Sequence, residues 1–274
     1  MARPDVELTE VRRQAEGSAI LELATLLRTE RRVLVPCGRY GEVQLFERHP
    51  AELFAELYER YSGDVVYLVG KNSTRVVANC AIRNQLFGVE RAKEEKLVVG
   101  ESLLAISNNN FYANGSLLRV AEIRADLGKN VLTRTARGGT SGPLREYYYR
   151  YDVVDDEGRE FRLFLFPATE APSIHNREIP ELNRAIRGKT RTDNNVVVAT
   201  YGNALSVHKS QGGQWKAVML YPEFPFADDA RWLYTGITRA QSELHLNIEN
   251  IRPPRRVLPY ALRRMAGSLI SPAD

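Results

Sequence analysis

Apolar residues recur at two different periods along the chain, and the switch between them divides it. From Gly17 to Glu30, Ile20, Leu21, Leu23, Ala24 and Leu27 fall at helical spacing, with Ser18 placed as an N-cap. A second helical stretch follows Pro50, with Leu53, Phe54, Leu57, Tyr58 and Tyr61 on one face and Gly63 at its end. The unbroken run "DVVYLVG" predicts a buried strand. The run "NSTRVVANCAIRNQLFG" predicts a capped helix that turns Val76, Val77 and Cys80 inward and closes at Gly88. Helix, strand, helix in that order implies an α/β layer on a parallel sheet.

Between about Leu97 and Ala168 the pattern becomes short alternating segments: "SLLAIS", "SLLRVAEIR", "NVLTRTA", "EYYYRYDVV" and "EFRLFLF". Turns of the "NG", "GGTSGP" and "DEG" type separate them, which predicts a small antiparallel barrel. Beyond it "IPELNRAIRG" reads as a helix, and "NVVVAT", "KAVMLY" and "ELHLNIE" return to the strands of an α/β domain. The simplest architecture is one α/β domain, residues 1–96 plus 169–274, interrupted by a β module at 97–168. The tail "IRPPRRVLPYALRRMAG" is basic and broken by proline, a peripheral segment or short helix.

Composition narrows the class only a little. The 274 residues are 43% hydrophobic and 26% charged, a globular balance for one large or two small domains. A net charge of +4 and a pI of about 9.0 permit a nucleic acid partner without requiring one. Two cysteines, Cys37 and Cys80, without paired metal-ligand spacing argue against a disulfide framework or a zinc site. No apolar run suits a signal peptide or a membrane span, so a cytoplasmic protein that does not engage membrane is expected.

The stretch "LSVHKSQGGQW" sets His208, Lys209, Ser210 and Gln211 side by side before Gly212 and Gly213. His208 and Lys209 can meet phosphates, Gln211 offers a donor and an acceptor, and the glycines allow backbone to approach a ligand closely. Such a loop after a strand suggests a ligand site at the carboxyl end of a parallel sheet, although a surface turn has the same composition. Downstream, "RWLYTGITRAQSELHL" places Leu233, Ile237 and Ala240 on one helical face and leaves Thr238 and Arg239 near the helix end. An arginine held there can stabilise charge on a transferring phosphoryl group, or can form a surface ion pair.

Together, "TYGNALSVHKSQGGQW" and "WLYTGITRA" resemble motifs V and VI of superfamily 1 DNA helicases, in the RecD and Dda-like branch. "LTEVRRQAEGSAILELA" resembles the motif IV region, "VGKNSTRVVANCAIRNQLFG" its following strand and helix, and "VGESLLAISNNNFYANGSLLRV" is similar to the start of an inserted SH3-like barrel. The resemblance implies a RecA-like second motor domain carrying that barrel. It makes Arg239 an arginine finger on the γ-phosphate, assisted by Arg13 in preference to its neighbour Arg12. It places His208, Lys209, Ser210 and Gln211 along single-stranded DNA, and Gly212, Gln214 and Thr238 near nucleotide. Many relatives carry Glu where Gln214 stands; Gln keeps the acceptor and loses the charge.

No G-x-x-x-x-G-K-[ST] phosphate loop occurs in the sequence. The resemblance therefore implies that ATP and Mg2+ are held mainly by an N-terminal motor domain outside this chain, in cis or in trans, and that this chain alone is inactive. The alternative is a non-catalytic single-strand-binding or regulatory module with the motor fold. Asp155-Asp156-Glu157 reads as a hairpin turn, not a metal-binding pair. Tyr147, Tyr148, Tyr149 and Tyr151 could stack bases, but strand alternation favours a structural role. Asn79 and Arg83, at i and i+4 on a helix surface, could hold a DNA phosphate. His49, His175 and His245 show no partner spacing and are assigned no chemistry.

Overall fold

The computed structural model describes residues 18–30, 38–46, 51–134, 144–167, 195–223 and 229–247. In chain order the elements are α1 (Ala19–Glu30), β1 (Gly38–Tyr40), β2 (Val43–Phe46), α2 (Ala51–Arg60), β3 (Val65–Val69), α3 (Asn72–Phe87) and α4 (Val89–Glu94). There follow β4 (Ser102–Ala105), β5 (Leu117–Arg134), β6 (Leu144–Asp155), β7 (Glu160–Leu165), β8 (Val196–Tyr201), β9 (Ala204–Ser206), β10 (Trp215–Tyr221), α5 (Ala230–Ile237) and β11 (Ala240–Asn247). Two compact units divide the chain: Met1–Pro50, Glu56–Gly70 and Ser210–Asp274 form one, Ala51–Ala55 and Lys71–Lys209 the other. The predicted helix at "IPELNRAIRG", the basic tail, Arg12, Arg13, Cys37, His49 and His175 lie outside the described residues.

The first unit is built on a sheet with strand order β1-β2-β11-β10-β3. The last four strands run parallel, and β1 is antiparallel to β2. The predicted strands at "DVVYLVG", "KAVMLY" and "ELHLNIE" are all present, and Val66, Leu68, Val218, Leu220, Leu244 and Leu246 are buried. Helix α1 packs on α5, burying Ile20, Leu23, Ala24 and Leu27, and Ser18 Oγ accepts from the Ile20 amide at 3.3 Å. The β1–β2 hairpin had no expectation attached to it. Glu243, 3% exposed, accepts from Arg60 Nη1 at 3.1 Å and from the Tyr61 hydroxyl at 2.8 Å. His245 Nε2 lies 2.9 Å from Glu243. Two residues is the strand repeat, so the pair shares a face; a search at helical or metal-ligand spacing passes over it.

In the second unit β4, β5, β6, β7 and β8 form a closed barrel. Strand β8, "VVVATY", pairs antiparallel with β4 and parallel with β7. The expectation that this run belongs to the α/β sheet is corrected: it closes the barrel, beyond the 97–168 span. Buried on both faces, its valines carry no mark of which sheet they serve. The segments "SLLRVAEIR" and "NVLTRTA" are one strand, β5, because irregular register between Asp126 and Lys129 absorbs Gly128 as a bulge. The turn after Asp155 is present, with Gly158 N donating to Asp155 O at 3.0 Å.

Helix α3 closes at Gly88 as expected, but Lys71 at its N-cap makes no side-chain capping bond. Of the residues predicted to face inward, Val76 and Cys80 are partly buried and pack on the barrel core, and Val77 does not. Arg75, Ala78, Asn79, Ile82 and Arg83 are buried, whereas Val77 is 67% exposed. Apolar periodicity selects Val76, Val77 and Cys80; the fold also buries Asn79 and Arg83, because each finds a specific partner.

Candidate nucleotide and nucleic-acid site

Asn79, which has no solvent exposure, makes a paired contact with β9. Its Nδ2 donates to Ala204 O at 3.0 Å and its Oδ1 accepts from Ala204 N at 2.9 Å. The amide thus supplies the hydrogen bonds of a missing strand partner. Arg83 forms a buried ion pair with Glu101 and donates to Ala92 O at 2.8 Å and Glu95 O at 2.9 Å. Its guanidinium carbon lies 4.4 Å from the Tyr201 ring centre. The expected surface placement of both residues is therefore corrected: they anchor α3 from inside the unit.

The remaining candidates lie in the segment before β10 and in the segment before β11. A 3-10 turn spans Val207–Ser210; within it His208 is exposed, Lys209 half-buried and Ser210 1% exposed. Burial, and then the positive charge of Arg75, push the Lys209 ammonium down to about 8. Burial pushes Arg75 down to about 10.

From Ser210 onward the chain turns tightly, with Gly213 N donating to Ser210 O at 3.0 Å. Gly212 adopts φ +88, a left-handed conformation that L side chains rarely take. A Cβ on Gly213 would stand 2.4 Å from the Trp215 ring, so the indole and this backbone require one another's shape. Gln211 and Gly212 are exposed.

Helix α5 begins at Asp229, whose carboxylate accepts from the Arg231 amide at 2.9 Å and the Trp232 amide at 3.2 Å. It buries Trp232, Leu233, Gly236 and Ile237. Thr238 ends it and Arg239 follows in a turn; Ala240, expected on the helix, is already the first residue of β11. Arg239 is 8% exposed. It donates from Nε to Thr235 O at 3.0 Å, from Nη1 to Gly213 O at 3.1 Å and from Nη2 to Thr238 Oγ1 at 3.3 Å. The Trp215 amide donates to Arg239 O at 3.0 Å, and Gln241 Nε2 to Gln214 Oε1 at 3.2 Å.

Residues 213–215 and 239–241 are thus zipped together, which joins Gln214 and the glycine turn to Thr238 and Arg239. The expected position is corrected. Both segments enter β10 and β11, so they stand at the amino ends of parallel strands, not at carboxyl ends. No cluster of metal-ligating side chains occurs among the described residues.

Residues 201–247 match the UvrD-like helicase C-terminal domain. That span contains both zipped segments and the strands they enter. Among solved structures the chain is similar to Pif1 helicase from Bacteroides in complex with ADP-AlF3 and ssDNA, at 14% identity and a TM-score of 0.41, covering 96% of this chain and 56% of that one. A structure of DNA unwinding at forked dsDNA by two coordinating Pif1 helicases gives 15% identity, a TM-score of 0.44, and coverage of 96% and 54%. For Pif1 helicase from Candida albicans the values are 14%, 0.38, 91% and 57%. The chain therefore spans little more than half the length of these structures. Comparison with curated proteins finds no match.

Proposed function

We propose that this chain is the C-terminal motor half of an ATP-dependent DNA helicase of superfamily 1, in the RecD and Dda-like branch and moving 5′ to 3′. The observation that carries the reading is the helicase C-terminal match over residues 201–247, together with the hydrogen bonds that join its two motif-bearing segments. The α/β unit is then the second RecA-like motor domain, and the barrel is its SH3-like insertion with β8 as the closing strand. His208, Lys209, Ser210 and Gln211 form part of the single-stranded DNA track, while Gly212, Gln214 and Thr238 lie toward nucleotide. Arg239, with Arg13, acts on the γ-phosphate. ATP and Mg2+ are bound mainly by an N-terminal motor domain, in cis or in trans, in a cytoplasmic setting.

In this reading Arg239 must exchange neutral acceptors for a phosphate. A carbonyl is a weaker partner for a guanidinium than a phosphate oxygen, so the exchange is favourable once nucleotide is presented. A second reading, a non-catalytic single-strand-binding module, is favoured by the same bonds if they persist with nucleotide present. Phosphate release separates the two. The chain alone, saturated with single-stranded DNA, is expected to give no ATP turnover, and joined to a P-loop-bearing N-terminal half it is expected to gain DNA-stimulated turnover. Turnover by the chain alone at constant specific activity through repurification contradicts the first reading, and absence of stimulation in the joined protein supports the second.

A further inference from the structure

Gln241 carries no expectation from the sequence, yet it closes the junction that holds Arg239. From the Trp215–Ala240 pair to the Ala217–Glu243 pair, β10 advances two residues and β11 three. The extra residue of β11 is a bulge, and strand alternation fails there: Gln241 and Ser242 are both exposed, between buried Ala240 and buried Glu243. A bulge re-aims a side chain, and here the Gln241 amide reaches back to Gln214, its Nε2 donating to Oε1 at 3.2 Å. Gln214 is flanked by two residues that touch Arg239. Gly213 O accepts from Arg239 Nη1 at 3.1 Å, and the Trp215 amide donates to Arg239 O at 3.0 Å.

We infer that Gln241 is a positioning residue for Arg239: with Gln214 it forms a clasp that keeps Gly213 O on the guanidinium and holds the arginine docked on neutral acceptors. This rests on the reading of Arg239 as the arginine that acts on phosphate, and it adds a restraint on that arginine. Arg239 donates to Thr235 O and Thr238 Oγ1 within its own segment, whereas Gly213 O is supplied from across the junction. The clasp acts on the acceptor from across the junction. It is closed only in the docked state, so loosening it raises that state in free energy and leaves the transition state where it was. The barrier from free enzyme to transition state then falls. A nucleotide hydroxyl that donates to Gln214 Oε1 in place of Gln241 opens the clasp in the same way.

Two measurements test this. In the chain itself, arginine side-chain NMR, with Arg239→Lys for assignment, follows the hindered rotation of the Arg239 guanidinium about its Nε–Cζ bond. Gln241→Met keeps the bulk of the side chain and removes the donor, and is expected to speed the rotation about two- to threefold, the effect of one exposed hydrogen bond. Gln214→Met is expected to do the same, and the double variant no more than either alone, because both remove one contact. Ser242→Ala, at the other exposed position of the bulge, is the control and is expected to leave the rotation unchanged. In the protein joined to a P-loop-bearing N-terminal half, Gln241→Met is expected to raise kcat/KM for ATP about two- to threefold.

A merely structural Gln241 lowers the melting temperature and leaves rotation and kcat/KM unchanged, and that outcome overturns the inference. Additive effects of Gln214→Met and Gln241→Met on the rotation overturn it as well, since the two amides then act separately. So does faster rotation with kcat/KM unchanged or lowered, because the clasp then restrains nothing that turnover uses. A joined protein without ATP turnover sinks the motor reading instead, and the rotation measurements alone then decide whether the clasp holds Arg239.

Discussion

Arg83 and Arg239 are both buried arginines read from the sequence as contacts to DNA or nucleotide, and their surroundings differ. Arg83 meets the carboxylate of Glu101 and two carbonyls, with Phe87 and Tyr201 against its plane. Arg239 meets two carbonyls and a hydroxyl at the junction of the segments before β10 and β11. A buried cation matched to a buried carboxylate resists exchange, because leaving would strand the partner charge. A cation held by neutral oxygens can change partner at smaller cost. The comparison assigns Arg83 to the architecture, and under the proposed function Arg239 is the arginine to test against phosphate.

The largest expected effect lies on the Arg239 side. In the joined two-domain enzyme, Arg239→Ala is expected to lower kcat by on the order of 10³ to 10⁵, as loss of an arginine finger does, with DNA affinity much less changed. Arg239→Lys is expected to restore little, because a point charge does not reproduce the planar fork. Steady-state ATPase on both variants, with thermal unfolding as the control, checks this; a variant retaining more than about a tenth of the wild-type kcat breaks the contrast.

Next comes Arg83. Arg83→Met strands the Glu101 carboxylate and is expected to cost about 3 to 5 kcal/mol in denaturant unfolding, whereas Arg83→Met combined with Glu101→Leu recovers most of it. If Arg83→Met leaves stability intact and weakens DNA binding, the two arginines have been assigned the wrong way round.

A smaller effect sharpens the same distinction at the hairpin turn, where Asp155 is 1% exposed. Burial raises the pKa of its carboxyl, but the bonds from Tyr112 and Arg159 outweigh burial and hold it below the ordinary 3.8. A depressed carboxylate contributes stability above its unfolded pKa and loses it as pH falls through the folded value. Asp155→Asn is expected to cost about 1 to 3 kcal/mol at neutral pH and to flatten the acid limb of the stability profile. An acid limb unchanged in the variant contradicts this.

Much of the frame is legible in local pattern. The strands at Val65–Val69, Trp215–Tyr221 and Ala240–Asn247, the helix capped by Ser18, and the turn at Asp155 follow from apolar runs, caps and turn residues. What escapes depends on partners remote in sequence. Asn79 and Arg83 look like surface residues until Ala204 and Glu101 are brought to them. β8 looks like any buried strand until β4 and β7 claim it. The segments on either side of Gly128 look like two strands, and only pairing with β6 makes them one. At the site, residue identity is local but position is not: the glycine turn and Arg239 meet through 26 residues of separation, at the strand ends opposite to those expected.

The claim that this chain carries part of a single-stranded DNA track is tested most directly by oligothymidine affinity across a salt series, for wild type and Lys209→Ala. The account predicts affinity that falls as salt rises, with little dependence on base sequence. It also predicts that Lys209→Ala flattens the log–log slope by about 0.7, the share of one phosphate on a single strand. An affinity indifferent to salt, or a slope identical in the two proteins, would contradict it.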